Sequence, residues 1–96
     1  MEVIVSHEGT DLDGLAAMVA CAKLHPQAVM VLVGGQSSGV RRFITEHKGY
    51  LPLYQAGQLK LDNISTLYIV DAQRPQQLGE LAWLWGRAGT IVTYDH

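Results

Sequence analysis

Residues 3–18 read VIVSHEGTDLDGLAAM. Val3-Ile4-Val5 is β-branched throughout and suits a strand. Further on, the apolar period changes. Leu15, Met18, Val19 and Ala22 fall at i, i+3, i+4 and i+7, the spacing of one helical face. Pro26 ends that helix near His25, because a proline disfavours helical geometry in the residue before it. A strand thus hands over to a helix, and three titratable side chains, His7, Asp11 and Asp13, stand at the joint.

The alternation continues along the chain. Residues 28–33, AVMVLV, are a second strand, broken by Gly34-Gly35. Val40, Phe43 and Ile44 predict a second helix with Ser37 or Ser38 as N-cap. Residues 49–65 are poorly periodic and read as loop. TLYIV at 66–70 is the third strand. Pro75 suits the first turn of a third helix, whose face is marked by Leu78, Leu81, Ala82 and Trp85 and which Gly86 or Gly89 can close. Residues 90–94, TIVTY, are the fourth strand. Strands that are apolar on both faces and separated by helices predict a parallel sheet covered on both sides. The expected fold is α/β, open and doubly wound, Rossmann-like.

Composition narrows the function. At 96 residues the chain is enough for one small domain. With 48% hydrophobic and 17% charged residues it is globular rather than disordered. The formal net charge of -2, with no basic cluster larger than Arg41-Arg42, argues against a surface that coats nucleic acid. The single cysteine, Cys21, excludes an intramolecular disulfide and reads as a packed thiol. No leader pattern or membrane-length apolar run is visible, so a cytoplasmic location is expected. The fourth strand ends at Tyr94 with no helix after it to cover it, which predicts a fragment of a longer protein.

In open α/β sheets ligands bind beyond the carboxyl ends of the strands. Strand one ends near His7, Asp11 and Asp13, strand three on Asp71, and strand four on Asp95 and His96. One rim therefore receives carboxylates and imidazoles from distant segments. Crowded carboxylates raise one another's pKa unless a cation neutralises them. Carboxylate and imidazole donors suit manganese, magnesium or iron. A pair of such ions can polarise a phosphoryl oxygen and activate water.

His-x-x-x-Asp-x-Asp at 7–13, a lone Asp71 after an apolar strand, and Asp95-His96 after another resemble the DHH phosphoesterase superfamily. That group includes single-strand exonucleases, oligoribonuclease and cyclic-dinucleotide phosphodiesterases, and manganese inorganic pyrophosphatases. The segments AAMVACAKLHPQAVMVL and GVRRFITEHKGYLPL look most like the DHH domain that some bacteria fuse to CBS domains and a poly(A) polymerase or CCA-adding tRNA nucleotidyltransferase.

The resemblance covers the whole chain and implies the N-terminal portion of a DHH domain, cut inside the Asp-His-His motif. It implies two Mn2+ or Mg2+ ions. His7 and Asp11 would hold the first, Asp13 and His96 the second, and Asp71 would bridge them. Asp95 would orient imidazole or water, so that Asp95 and His96 form the catalytic part of the motif present here. The motif's second histidine, a downstream aspartate ligand and the substrate-binding domains are absent from residues 1–96, so this fragment alone is expected to be inactive. Gly14 stands where the family often has alanine. The implied partners are a phosphate-containing substrate (nucleotide, oligonucleotide or pyrophosphate) and, through other domains, tRNA.

Plainer readings stand beside these. Asp11 and Asp13 suit helix capping, and capping can coexist with ligation. Asp71 by itself could be a turn residue. His25 fits a helix end, His47 the solvated side of the second helix. GGQSSG at 34–39 resembles a phosphate-binding loop but lacks the Lys-Ser/Thr ending. Arg41 and Arg42 are weak substrate-binding candidates. Trp83 and Trp85 cannot share one helical face. Two other functional classes stay open: a non-catalytic regulatory or RNA-positioning module, and a plain nucleotide-binding α/β domain using Gly34–Gly39.

Overall fold

The computed structural model describes residues 1–47, 49 and 51–94. β1 (Glu2–Val5) leads into α1 (Leu12–Leu24), then β2 (Val29–Leu32) and α2 (Ser38–Glu46). β3 (Leu53–Gln55) is followed by a 3-10 turn (Ala56–Gln58), β4 (Thr66–Val70), a 3-10 segment (Pro75–Gly86) and β5 (Thr90–Tyr94). The strands form one sheet in the order β3-β2-β1-β4-β5. Every pairing is parallel. The α/β class read from the sequence holds.

Alternation along the strands builds two cores. Val3, Val5, Val31, Leu67 and Ile69 face one side, where Leu78, Leu81 and Leu84 cover them together with Leu61 and Ile64. Ile4, Met30, Leu32, Tyr68 and Val70 face the other, against Leu15, Met18 and Cys21 of α1 and Val40 of α2. Burial on both faces explains the near-continuous apolar runs of the central strands. It also pushes the Cys21 thiol up to about 11, so this cysteine is a packing group.

Three expectations need correction. The segment read as loop holds β3, an edge strand too short to show alternation; it is anchored by the Met30 N–H donating to the Pro52 carbonyl at 2.8 Å. The third helix is not α-helical. It is a 3-10 segment interrupted at Gly79 (φ 54°, ψ −125°). After the break its buried Leu81 and Leu84 lie three residues apart, the period of a 3-10 turn, while Leu78 is buried ahead of it. His47 is not on a solvated face. Its ring stacks on Phe43 with centroids 4.1 Å apart, and its Nδ1 donates to the Phe43 carbonyl at 2.9 Å.

Other details agree with the sequence. Ser37 is the α2 N-cap, its hydroxyl accepting from Val40 N–H. His25 caps the C-terminus of α1, its N–H donating to the Cys21 carbonyl. Its ring also stacks on Tyr68 at 4.0 Å, and its Nε2 lies 2.9 Å from the Tyr94 hydroxyl. The Tyr68 hydroxyl donates to Glu2 Oε1 at 2.7 Å, and that bond pushes its pKa up to about 12. Trp85 packs on the core while Trp83 is 47% exposed. Along β5 only Val92 is half-buried; its other residues are exposed. Among the described residues no helix is long and apolar enough to cross a membrane.

Candidate metal and phosphate site

The strand order decides where a ligand can bind. From β1 the chain winds outward through β2 to β3, then returns to the other side of β1 for β4 and β5. The direction reverses between β1 and β4, and such a switch point opens a crevice at the carboxyl ends of the strands. The two loops that flank it are residues 6–11 and 71–74, which carry His7, Asp11 and Asp71.

The β1 loop is tightly built. Thr10 is buried, and its hydroxyl donates to the His7 carbonyl at 2.7 Å. His7 is half-buried, and its Nδ1 donates to the Glu8 carbonyl at 3.0 Å. A neutral imidazole fixed in this way has its lone pair on Nε2, which is how metal-ligating histidines are commonly oriented. Asp11 caps α1, with Oδ1 accepting from Gly14 N–H at 2.8 Å; Oδ2 takes no part in that bond. Asp13 is exposed in the first turn of α1. The capping reading of Asp11 is therefore correct and compatible with a further role.

Gly14 is set by crowding at this joint. A Cβ there would lie 2.8 Å from Thr10 Cγ2, 3.3 Å from Asp11 Oδ1 and 3.4 Å from Ser6 Oγ. The Thr10 methyl cannot swing away while its hydroxyl holds the His7 carbonyl. Gly14→Ala is therefore expected to destabilise the chain by about 1–2 kcal/mol despite alanine's better helix propensity. Thr10→Ser, which deletes the obstructing methyl, should recover most of that loss in a double-mutant cycle. Chemical denaturation reads both. An additive double mutant would show that the two positions do not clash.

On the other side of the switch point, Asp71 adopts a left-handed backbone (φ 58°). Its N–H donates to the Tyr94 carbonyl at 3.0 Å. A non-glycine residue there carries strain, and aspartate tolerates it better than most. Strain of this kind collects at functional positions. The β1 and β4 loops are also tied directly, Glu8 N–H donating to the Gln77 carbonyl.

The sequence reading missed Glu8. Its side chain lies near Gly34, after β2, and near Gly79 in the 3-10 segment. A Cβ on Gly34 would sit 2.8 Å from Glu8 Cγ, and one on Gly79 would overlap Glu8 Oε2. Its place between His7 and Asp11 in the joint was the available signal.

The remaining candidates sit farther out. Arg41 and Arg42 are exposed in the first half of α2, and among the described residues neither is in an ion pair. In the glycine loop, Gln36 Nε2 donates to the Gly34 carbonyl at 2.6 Å and Gln36 Oε1 accepts from Gln55 Nε2 at 2.7 Å. Asp95 and His96 lie outside the described residues.

The donor types fit a hard divalent cation, namely carboxylates and a correctly turned imidazole. Ser6 adds a further observation. It is only 1% exposed, and among the described residues its hydroxyl has no hydrogen-bond partner. An unpaired buried hydroxyl costs about 1–3 kcal/mol, which invites an explanation at a site. The cluster is not closed, however. Among the described residues no three His, Cys, Asp or Glu side chains converge closely enough to hold a metal ion.

Comparison with known proteins gives one informative similarity. The chain is 38% identical over 98 aligned residues to an A-adding tRNA nucleotidyltransferase of Geobacter sulfurreducens. The match takes in all of this chain and 11% of that relative. The chain thus spans about a ninth of the length of the curated relative it matches. No family model matches the chain. No solved structure gives a significant match.

Proposed function

We propose that the chain is part of a DHH-type, metal-dependent phosphoesterase domain within a longer tRNA nucleotidyltransferase-like protein. The observation that carries this reading is the switch point. It brings the loop bearing His7 and Asp11, with Asp13 in the helical turn that follows, beside the loop bearing Asp71. The similarity to a tRNA nucleotidyltransferase supports the longer context.

In this reading His7 and Asp11 would hold one Mn2+ or Mg2+ ion, Asp13 and His96 the other, and Asp71 would be shared between them. When bound, such ions polarise a phosphoryl oxygen and lower the pKa of water. The chain's own contribution is placement. The Thr10 and Glu8 hydrogen bonds hold the His7 backbone and ring. The α1 N-terminus steadies Asp11 and favours negative charge there. The Tyr94 carbonyl fixes the Asp71 backbone. Asp95 would orient the neighbouring imidazole. Substrate selection falls to domains beyond these residues, tRNA or a short RNA being the natural class.

The test is a manganese titration and a phosphodiesterase assay on the full-length protein. Metal binding and hydrolysis of short oligonucleotides, AMP esters or pyrophosphate, both reduced at least tenfold in Asp11→Asn, are the expected result. Binding without hydrolysis of any phosphoester would favour the alternative, an RNA-positioning module. Absence of manganese binding to the folded protein would remove the metal site altogether.

A further inference from the structure

The loop after β4 is held by several hydrogen bonds. Asp71 N–H is tied to the Tyr94 carbonyl. The backbone N–H groups of Gln73 and Arg74 both donate to Gln77 Oε1, at 2.6 and 2.9 Å. Gln77 N–H returns the contact by donating to the Arg74 carbonyl at 3.0 Å. Pro75 then sets the first turn of the 3-10 segment. One side-chain amide therefore pins two consecutive backbone groups, and the same residue's carbonyl holds the β1 loop through Glu8.

Beside this loop lies an open cleft of about 520 Å³ lined by Gln73, Arg74, Gln76 and Gln77. All four lining residues are exposed, so a ligand there would be held at the surface by polar contacts. Among the described residues the lining is one guanidinium and three primary amides. Arg74 is exposed, and among the described residues it has no ion pair. Its planar fork of donors matches two phosphate oxygens at once. Gln77, whose Oε1 is engaged by the loop, can still donate through Nε2. A preorganised backbone lowers the ordering cost of presenting these donors.

We propose that this cleft binds a non-scissile phosphate of the substrate, with the Arg74 guanidinium as its principal donor. The inference rests on the phosphoesterase reading and deepens it. Arg74 lies three residues after Asp71, in the same loop beside the switch point. The ligand chemistry is that of a phosphoryl group adjoining the reacting bond, as in an oligonucleotide or pyrophosphate; AMP, with a single phosphate, stands for a product.

The experiment uses the full-length protein with a chelator present, so that no metal contributes. Binding of a 5′-phosphorylated dinucleotide, of AMP and of pyrophosphate is measured for the wild type, Arg74→Lys and Arg74→Ala. The probe that binds best identifies the phosphate source. Arg74→Ala should weaken it by about 10- to 30-fold, and Arg74→Lys by about threefold, since lysine supplies charge without the fork. Manganese affinity, titrated separately, should stay within twofold in both variants. Unchanged phosphate affinity in Arg74→Ala overturns the proposal. So does an equal fall in manganese affinity, which would mean that the loop itself has moved. No measurable binding of any probe to the wild type overturns it as well. Asp71→Asn is run alongside. If it keeps full manganese affinity, the phosphoesterase reading fails, while a loss of phosphate binding in Arg74→Ala would still support the cleft.

Discussion

In Asp71→Asn the manganese affinity of the full-length protein should fall at least about 100-fold, while its unfolding midpoint barely changes. The first half follows from the role proposed for Asp71 as the carboxylate shared between two ions. Even partners that merely orient a ligand are worth about 10- to 100-fold in metal affinity. The second half follows from its backbone. At φ 58° asparagine is tolerated as well as aspartate, and the N–H bond to the Tyr94 carbonyl is kept. Two companion variants separate metal binding from strain. Asp71→Ala should lose the metal and about 1 kcal/mol of stability, because an alanine Cβ is disfavoured in the left-handed region. Asp71→Gly should lose the metal with stability close to that of the wild type, since relief of strain is offset by glycine's chain entropy. Calorimetric titration and denaturant unfolding measure the two quantities separately. A folded Asp71→Asn protein with unaltered manganese affinity would refute the two-ion reading.

Gly79→Ala should destabilise the chain by about 2–3 kcal/mol, visible as a fall in Tm of roughly 10 °C or more. Gly79 has φ 54° and ψ −125°, a combination that only glycine adopts at low cost. It breaks the 3-10 segment so that Leu78 and Leu81 can both reach the core beneath it. The added methyl would also overlap Glu8 Oε2 and lie 2.8 Å from Glu8 Cδ. Glu8 is exposed and its side chain can yield, so backbone strain is the larger part. The double variant Glu8→Ala/Gly79→Ala should therefore recover less than half of the loss. For a domain of this size the whole stability is on the order of 5–15 kcal/mol, so the effect is a large share of it. A loss below about 0.5 kcal/mol would be incompatible with the observed turn.

Much of the molecule is legible in residues 3–18 and in their counterpart at 66–71. β-Branched runs followed by helical spacing require strands and helices in alternation, and apolar runs buried on both faces require a parallel sheet. The same stretches show which titratable side chains follow the strand ends. Where local signals are weak, the reading fails. β3 is three residues long and exists because β2 offers Met30 and Leu32 as pairing partners. The 3-10 segment carries a mixed pattern in which Ala82 and Trp85 imitate an α-helical face. Its buried positions are Leu78, Leu81 and Leu84, and its break lies in a glycine whose φ no sequence pattern displays.

The sequence by itself determined the class of fold, the strand-to-helix joints and the chemistry available at them. Strand order was decided only in three dimensions, because side-chain periodicity specifies how a strand is buried and not which neighbour it pairs with. That order places Asp71 across from His7 and Asp11. Tertiary contact likewise brought Glu8 under Gln77 and braced the loop that presents Arg74. The Glu8–Gln77 bond joins residues about 70 positions apart and the Asp71–Tyr94 bond joins two strands, and no local spacing encodes either.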